Sequence, residues 1–212
     1  MSSSLILLTC NEIEGSRALF PSLPLGLFDE VLVVDGGSRD GTREFFQQHG
    51  IRVVGQERRG RGHAFRVGAR QTRGDLLVFY SPDGNEDPRD LPRLVQCLRD
   101  GADLAIASRF APGARNEEDD RLWRPRAWVN QLFTLLANLL FRRGPYVSDT
   151  INGFRGVRRE AFERLRLDEP GFPIEYQMSI RAMKSGLRIV EIPTREGDRI
   201  GGVSKAESFP VG

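Results

Sequence analysis

Few residues in this chain suit disulfide bonds or soft-metal sites. The 212 residues include only two cysteines, Cys10 and Cys97, and two histidines, His49 and His63. Two cysteines make no disulfide framework, and the spacing of these four residues does not match a zinc site. The scarcity favours a reducing compartment. We also find no Ser-His-Asp nucleophile motif.

Long apolar runs are absent as well. No stretch reaches the roughly 20 apolar residues of a membrane-spanning helix, and Met1 to Thr9 lacks the basic region of a signal peptide. Hydrophobic residues make up 39% of the chain and charged residues 28%, which is typical of a globular protein. Basic residues outnumber acidic ones by only 31 to 29, so no basic field indicates nucleic acid as a partner.

Short apolar runs alternate with helical patterns through the first half of the chain. Five strands are predicted: Leu5–Thr9, Val31–Asp35, Ile51–Gly55, Leu76–Tyr80 and Leu104–Ser108. The helices between them are predicted at Glu12–Phe20 with Asn11 as N-cap, from Thr42 to the stop at Gly50, at Gly62–Thr72 and at Leu91–Arg99. This alternation predicts an α/β fold with a mostly parallel sheet and helices on both faces.

The second half contains a helix with two different faces, predicted over Ala127–Arg143 after a charged segment. Its apolar face comprises Trp128, Leu132, Leu135, Leu136, Leu139 and Leu140, and its polar face comprises Asn130, Thr134 and Asn138. We expect the apolar face to pack into the core. The alternative is an interfacial helix, with Trp123 and Trp128 at lipid headgroups. Two more strands, Phe154–Arg158 and Ile189–Pro193, and a helix, Ile174–Ser185, are predicted beyond it.

The residues that follow each strand carry the functional prediction, because ligands of parallel sheets bind beyond the carboxyl ends of the strands. Asp35 fits a contact to a ribose or nucleobase, or a tight turn in which Asp40 caps the next helix. Gly60 to Gly68 fits a phosphate at a helix N-terminus, or an arginine-rich surface loop. Asp83 and Asn85 fit a magnesium–diphosphate site, or an ordinary turn.

Taken in order, these segments resemble the inverting family 2 glycosyltransferases of the GT-A fold. Within that family the chain is similar to the dolichol- or polyprenyl-phosphate mannosyl- and glucosyltransferases. The resemblance covers nearly the whole chain and rests on seven segments: Leu8–Glu12, Val33–Thr42, Gly62–Gly68, Gly74–Asp83, Ala107–Arg109, Asp149–Arg155 and Arg199–Lys205. Each segment alone has low to moderate specificity, whereas their ordered occurrence has high specificity.

The resemblance implies roles for the matching residues. On the donor side, it implies that the nucleobase, ribose and loop contacts come from Thr9, Glu12, Asp35 and Gly62. It implies that Asp83 and Asn85 hold Mg²⁺ or Mn²⁺ and the diphosphate, and that Arg199 and Lys205 close over that diphosphate. On the acceptor side, the phosphate of a lipid acceptor would meet Arg109, Arg126 and Asn130. The sugar-acceptor side would be lined by Asp149 and Glu175.

Three residues depart from the family pattern. Leu8 stands where the family has proline, Gly36 replaces the second aspartate of an Asp-Asp pair, and Ser81 replaces the first aspartate of Asp-x-Asp. Loss of the carboxylate at Ser81 removes attraction for a cation. We therefore expect metal binding to depend on Asp83 and on the diphosphate itself.

The resulting hypothesis is one GT-A domain over residues 1–212, with a nucleotide-sugar-binding half (1–110) and an acceptor-side half (111–212). It would transfer a hexose from a GDP-mannose or UDP-glucose type of donor to polyprenyl or dolichyl phosphate, with inversion. We expect the protein in the cytoplasm, with peripheral contact to the cytoplasmic face of a membrane. A soluble family 2 enzyme with a small-molecule or glycan acceptor, and a catalytically silent nucleotide-sugar-binding module, are the alternatives.

Overall fold

The computed structural model describes residues 1–116 and 125–201, and gives only the backbone of residues 125 and 126. The strands are β1 (Ser3–Thr9), β2 (Glu30–Asp35), β3 (Arg52–Gly55), β4 (Leu76–Tyr80), β5 (Leu104–Ser108), β6 (Arg155–Arg158) and β7 (Ile189–Pro193). The helices are α1 (Ile13–Leu19), α2 (Thr42–Gln48), α3 (Arg61–Gln71), α4 (Leu91–Arg99), α5 (Pro125–Phe141), α6 (Arg159–Leu165) and α7 (Ile174–Lys184). Predicted strands and helices are therefore confirmed to within about two residues at most ends.

The seven strands form one sheet in the order β3-β2-β1-β4-β6-β5-β7. All neighbouring pairs are parallel except those of β6, which runs antiparallel to both β4 and β5. The parallel register places Thr9 opposite Asp35 and Leu7 opposite Tyr80. As a result β1, β2 and β4 end at the same edge of the sheet, and the loops that follow them meet there.

Helices cover both faces of the sheet, as the alternating pattern predicts. Successive residues of β1 point to opposite faces: Ile6 belongs to one buried cluster with Phe65 of α3, and Leu7 to another with Phe46 of α2. β1 is buried along its whole length, and both of its faces therefore contact apolar clusters. This double burial explains why the strand appears in the sequence as a continuous apolar run.

Two local predictions are corrected. Asn11 is not the N-cap of α1: Glu12 occupies that position, and its side chain makes no capping hydrogen bond. Asn11 has φ +53°, and its Oδ1 instead accepts a hydrogen bond of 2.8 Å from the amide of Arg39. Helix α6 was not predicted, because its seven residues are too short a stretch for a helical period to stand out.

Helix α5 packs with its polar face inward, contrary to the expectation that its apolar face joins the core. Thr134 and Asn138 are 1% and 5% exposed, whereas Leu139 and Leu140 are 78% and 66% exposed. The Thr134 hydroxyl is 2.8 Å from that of Thr150, and Asn138 bonds the backbone of the loop after the helix in both directions. These hydrogen bonds satisfy the polar groups inside and leave the leucines outside.

The exposed face of α5 is continuous. Its large apolar side chains, all at least 40% exposed, are Trp128, Val129, Leu132, Phe133, Leu135, Leu136, Leu139 and Leu140. Within the described ranges, no helix combines the length and the hydropathy that crossing a bilayer requires. An exposed apolar surface of this extent is typical of an interaction surface.

Candidate functional site

Thr9 and Asp35 lie side by side where β1 and β2 end. The Thr9 hydroxyl donates to Asp35 Oδ2 at 3.1 Å, and the amides of Gly37 and Ser38 both donate to Oδ1 at 2.9 Å. Asp35 is fully buried. Its carboxylate therefore shapes the glycine-rich turn, as one of the two local interpretations expects, and its contact with a donor stays a prediction.

Asp40 lies one residue before the N-cap of α2, which is Gly41 and not Asp40 as predicted. The Asp40 carboxylate is still part of the turn that leads into the helix. Its Oδ1 accepts hydrogen bonds from the amide and hydroxyl of Thr42, the first residue of α2, at 3.1 and 2.6 Å. Its Oδ2 accepts from the amide of Ile13, the first residue of α1, at 3.1 Å. One carboxylate thus joins the starts of two helices.

The N-terminus of α3 does not offer the row of unpaired amides that a phosphate site needs. The amides of Gly62 and His63 both donate to the carbonyl of Pro170, at 3.0 and 3.3 Å. A Cβ on Gly62 would lie 1.9 Å from the carbonyl oxygen of Glu169, so glycine is required for this close approach. In this structure the two amides are therefore paired with the loop before α7, Gly62 permits the close packing of that loop, and a donor contact by Gly62 stays a prediction.

Asp83 and Asn85 form a tight turn after β4, and the polar tail of the chain lies on it. Asp83 Oδ1 accepts from the amide of Asn85 at 3.2 Å, and Gly84 between them has φ +102°. The Asp83 carbonyl accepts from the amide of Ile200 at 2.7 Å, and Asn85 bonds the backbone of Gly197 in both directions. The turn that one interpretation predicts is present, and it also holds the predicted tail segment.

Arg199 brings two predicted donor residues together. Its Nη1 donates to Asp83 Oδ2 at 2.9 Å, and its Nη2 pairs with Glu12 Oε1. Glu12 is 8% exposed. The guanidinium therefore lies between two carboxylates at the edge where β1 and β4 end. Lys205, the other predicted cation of this segment, lies outside the described residues.

Glu86 also belongs to this edge, and sequence reasoning did not find it. Its Oε2 accepts from the amide of Ser81 at 2.7 Å, and its carbonyl accepts from the Tyr80 hydroxyl at 2.9 Å. Burial, followed by the nearby charge of Asp83, raises the pKa of Glu86 to about 8. A raised pKa favours the neutral, protonated form of this carboxyl beside Asp83.

Arg61 is the second residue that sequence reasoning missed, although it stands between Gly60 and Gly62 in a segment examined for phosphate binding. Its Nε pairs with Glu175, and its Nη1 lies 3.3 Å from the Ser81 hydroxyl. A Cβ on Gly153 would lie 1.9 Å from Nη2, so that glycine leaves room for the guanidinium. Glu175 itself is 2% exposed, in the first turn of α7.

Arg109 and Asp149, both predicted for the acceptor side, form a bidentate ion pair. Arg109 Nε lies 2.7 Å from Asp149 Oδ2, and Nη2 lies 3.1 Å from Oδ1. Although burial acts in the opposite direction, the charge and hydrogen bonds of Arg109 lower the pKa of Asp149. Glu196 lies 3.7 Å from Arg109 Nη1. The two predicted residues are therefore together, as one pair whose charges compensate each other.

The remaining acceptor residues lie on α5. Asn130 is half-buried, one turn before Thr134. Arg126 belongs to the first turn of the helix, and its side chain is outside the description. The structure therefore places Asn130 on the face of α5 that turns inward, and leaves the relation of Arg126 to Arg109 as a prediction.

A divalent cation fits this edge only together with the phosphates of a donor. Asp83 offers carboxylate oxygens and Asn85 an amide oxygen, while the described residues contain no cluster of three His, Cys, Asp or Glu side chains placed to bind a metal. Mg²⁺ commonly takes one or two protein carboxylates and completes its shell with phosphate oxygens and water. The residues therefore suit a cation shared with a diphosphate.

Comparison with known proteins is consistent with this geometry. The family model described as "Glycosyl transferase family 2" matches residues 4–166. The chain is 28% identical to the dolichol-phosphate mannosyltransferase of Pyrococcus furiosus over 100% of its own length and 61% of that protein's. It is 31% identical to the undecaprenyl-phosphate mannosyltransferase of Micrococcus luteus, over 98% and 88% of the two chains.

The chain spans only 54% and 61% of the length of two curated relatives that it matches. Among solved structures it is similar to glucosyl-3-phosphoglycerate synthase of Mycobacterium tuberculosis in complex with Mn²⁺, UDP-glucose and phosphoglyceric acid. The TM-score is 0.73 at 25% identity, with 96% of this chain and 72% of that chain covered. The neighbour thus holds a nucleotide sugar and a divalent cation on a similar fold.

Proposed function

Because the chain belongs to glycosyl transferase family 2, we propose that it transfers a hexose from a nucleotide sugar to a polyprenyl phosphate. The transfer proceeds with inversion and is assisted by a divalent cation. One observation carries the proposal: Asp83 and Arg199 lie in contact beside Glu12 at the edge where β1 and β4 end. Two relatives whose names specify a polyprenyl-type phosphate acceptor support the acceptor class.

The donor binds along the ends of β1, β2 and β4. Thr9, Glu12 and Asp35 contact the nucleobase and ribose, while Asp83 and Asn85 face the diphosphate. Arg199 exchanges its carboxylate partners for phosphate oxygens when the donor enters. Its positive charge then offsets the charge that develops on the leaving nucleoside diphosphate.

Asp83 and Asn85 are the residues that would hold Mg²⁺ or Mn²⁺. The cation, when bound, neutralises the leaving diphosphate and orients it. Support comes from the solved neighbour, whose complex contains Mn²⁺ with UDP-glucose. Ser81 provides no carboxylate, so Asp83 carries the protein's negative charge toward that cation.

The acceptor approaches from the side of Arg109. Arg109 and Asn85 line one small cavity, which supports an acceptor side next to the donor turn. A phosphate monoester is already anionic, so its oxygen attacks the anomeric carbon without a strong general base. Arg109 contacts that phosphate from its pair with Asp149, and Asn130 and Arg126 approach it from α5. Glu175 lines the same side of the sugar.

The exposed apolar face of α5 supports a lipid-linked acceptor. The face presents Leu139, Leu140 and their neighbours to the surroundings on the helix that also carries Asn130 and Arg126. Inserted at a membrane surface, it would bring the phosphate of a polyprenyl chain toward Arg109. We place this contact at the cytoplasmic face, where it is peripheral.

A transfer assay tests the proposal. The protein is incubated with radiolabelled GDP-mannose or UDP-glucose, Mg²⁺ and polyprenyl phosphate, and the organic extract is counted. We expect label in the lipid phase with the natural chain and a loss of about 100-fold or more for Asp83→Ala. The control is Arg70→Ala, on the exposed end of α3.

The assay also discriminates the alternatives. A soluble small-molecule acceptor is favoured by the likeness to a phosphoglycerate glucosyltransferase, so phosphoglyceric acid is assayed in parallel. Label in that product alone would overturn the lipid acceptor. Donor binding without transfer or hydrolysis would indicate a silent nucleotide-sugar-binding module. Full activity of Asp83→Ala would show that the donor site is misplaced.

A further inference from the structure

We propose that Arg61 and Glu175 act as a pair that binds neighbouring hydroxyls of the donor's sugar. The inference rests on the proposed function and assigns Arg61, which lies between Gly60 and Gly62, to the recognition of the transferred group. It depends on three observations: where the pair lies, which of its polar atoms lack partners, and which charges surround it.

The pair lies where a transferred sugar must lie. Arg61 opens α3 in the donor half, and Glu175 opens α7 in the acceptor half, 114 positions further along the chain. Arg61 also contacts Ser81, two residues before Asp83 on the same loop. The sugar joins the diphosphate to the acceptor during transfer. A contact that bridges the two halves beside the diphosphate turn is therefore in the position of that sugar.

Some polar atoms of Arg61 and Glu175 have no hydrogen-bond partner among the described residues and can therefore bind a ligand. Glu175 is 2% exposed, and its Oε2 is buried without a hydrogen-bond partner among the described residues. A buried carboxylate oxygen without a donor is costly, so an O–H group that reaches it is bound favourably. On the other member, Nη2 of Arg61 has no hydrogen bond to the described residues, and Nη1 has only the long 3.3 Å contact to Ser81.

Donor and acceptor atoms placed together match hydroxyl groups. Each hydroxyl both donates and accepts a hydrogen bond, so one can donate to Glu175 Oε2 while it or its neighbour accepts from an Arg61 Nη group. A phosphate has oxygens that only accept, and Glu175 would repel it. Although burial acts in the opposite direction, the charge of Glu175 raises the pKa of Arg61, so this guanidinium already has an acidic partner.

Neighbouring residues hold both Arg61 and Glu175 in position. The Arg61 guanidinium lies 5.7 Å from the ring centroid of Phe65 and 6.0 Å from that of Phe172. The backbone carbonyl of Glu175 accepts from Arg155 Nη1 at 3.0 Å, and Arg155 is fully buried. Fixed neighbours reduce the entropy lost on binding. The long Ser81 contact is the one that a sugar can displace.

Paired binding measurements test the inference. Dissociation constants are measured by calorimetry for UDP and UDP-glucose, and for GDP and GDP-mannose, with Mg²⁺ present. For Arg61→Ala and for Glu175→Gln, we expect the constant of the nucleotide sugar to rise about tenfold or more. The constant of the matching diphosphate should stay within about twofold, because the pair touches only the sugar.

The double variant Arg61→Ala/Glu175→Gln should bind the nucleotide sugar no more weakly than the weaker single variant, because the two side chains act as a unit. Arg61→Lys keeps the charge and should fall between natural chain and Arg61→Ala. Arg70→Ala, on the same helix, is the matched control. An unfolding curve is measured for every variant, to show whether weaker binding results from loss of the fold.

The outcomes distinguish a failure of the inference on Arg61 and Glu175 from a failure of the proposed function. Equal weakening of the diphosphate and the nucleotide sugar would make Arg61 a phosphate contact and overturn the inference. Unchanged binding of both ligands would overturn it as well. Failure of the natural chain to bind any of the four ligands would instead overturn the proposed function.

Discussion

Arg199 and Asp83 form an ion pair, with 2.9 Å between Nη1 and Oδ2, at the edge where a cation and a diphosphate are proposed to bind. The pair is only partly exposed, and Glu12 holds the same guanidinium on its other side. In the proposed site Arg199 would therefore compete with a cation for Asp83, and would act together with that cation once a diphosphate is bound. Opposite effects on two ligands follow from this single contact.

For Arg199→Ala we expect tighter binding of Mn²⁺ alone, by about threefold to tenfold, because Asp83 loses its competing guanidinium. Binding of the nucleoside diphosphate in the presence of Mn²⁺ should weaken about tenfold or more, because a charge-assisted phosphate contact is lost. Paramagnetic resonance of free Mn²⁺ measures the first, and calorimetry the second. Arg195→Ala, an exposed arginine of the same segment, is the control. Changes of the same sign for both ligands would contradict the exchange.

The raised pKa of Glu86 predicts that the stability of the fold depends on pH. Its pKa is raised to about 8 in the folded chain, above its ordinary value near 4.3. Between these two values the folded state binds more protons than the unfolded state. The free energy of unfolding therefore falls as pH rises through this window, by at most about 1.4 kcal/mol per pH unit from this group.

Glu86→Gln should flatten that dependence, since glutamine keeps an acceptor for Ser81 and does not titrate. Urea unfolding at a series of pH values between 5 and 9 measures the effect. Glu163→Gln, an exposed glutamate of α6, is the matched control and should leave the profile unchanged. Parallel profiles for Glu86→Gln and the natural chain would show that Glu86 ionises normally.

The exposed face of α5 predicts binding to lipid surfaces. Leu139 is 78% exposed, so Leu139→Glu should leave the unfolding midpoint nearly unchanged. Burial of a leucine side chain contributes about 1.5–3 kcal/mol, so vesicle affinity should fall about tenfold or more. Cosedimentation with phosphatidylglycerol vesicles measures it. Gln47→Glu, on α2, adds the same charge elsewhere and is the control; equal loss with both variants would argue against a docking role for α5.

The Arg109–Asp149 pair predicts a large structural effect. Asp149 is 1% exposed, so Asp149→Asn removes the charge of the buried bidentate partner of Arg109 and leaves the more distant Glu196 beside it. We expect the free energy of unfolding to fall by about 3–5 kcal/mol, measured by urea titration. Asp168→Asn breaks the exposed pair with Arg181 and should cost less than about 1 kcal/mol. If both variants lost less than about 1 kcal/mol of unfolding free energy, the Arg109–Asp149 pair would contribute no more to stability than an exposed ion pair.

The sequence was sufficient for the strands and for most helices. β1 and β4 are buried on both faces, so an apolar run such as Leu5–Leu8 appears without interruption. Turn residues mark the ends, as Gly74 does before β4. The position of Asp83 directly after β4 follows from this order alone, whereas its closeness to the end of β1 follows from the order of strands in the sheet.

The contacts of Arg61 could not be predicted in the same way. Its partner Glu175 lies 114 positions away, and the room for its guanidinium comes from the absence of a side chain at Gly153. The local pattern of glycines around Arg61 predicts a phosphate loop. In the fold, the amides of Gly62 and His63 instead donate hydrogen bonds to carbonyls of the loop before α7.

By itself, the sequence determined the α/β architecture and the family, and it predicted the site at one edge of the sheet, because these depend on local periodicity and on short motifs in a fixed order. Only the tertiary structure decided the antiparallel direction of β6, the outward apolar face of α5 and the partners of Arg61 and Arg199. Each of these depends on segments distant in the chain that compete for the same hydrogen bonds, and a periodic pattern contains no information about which of them meet.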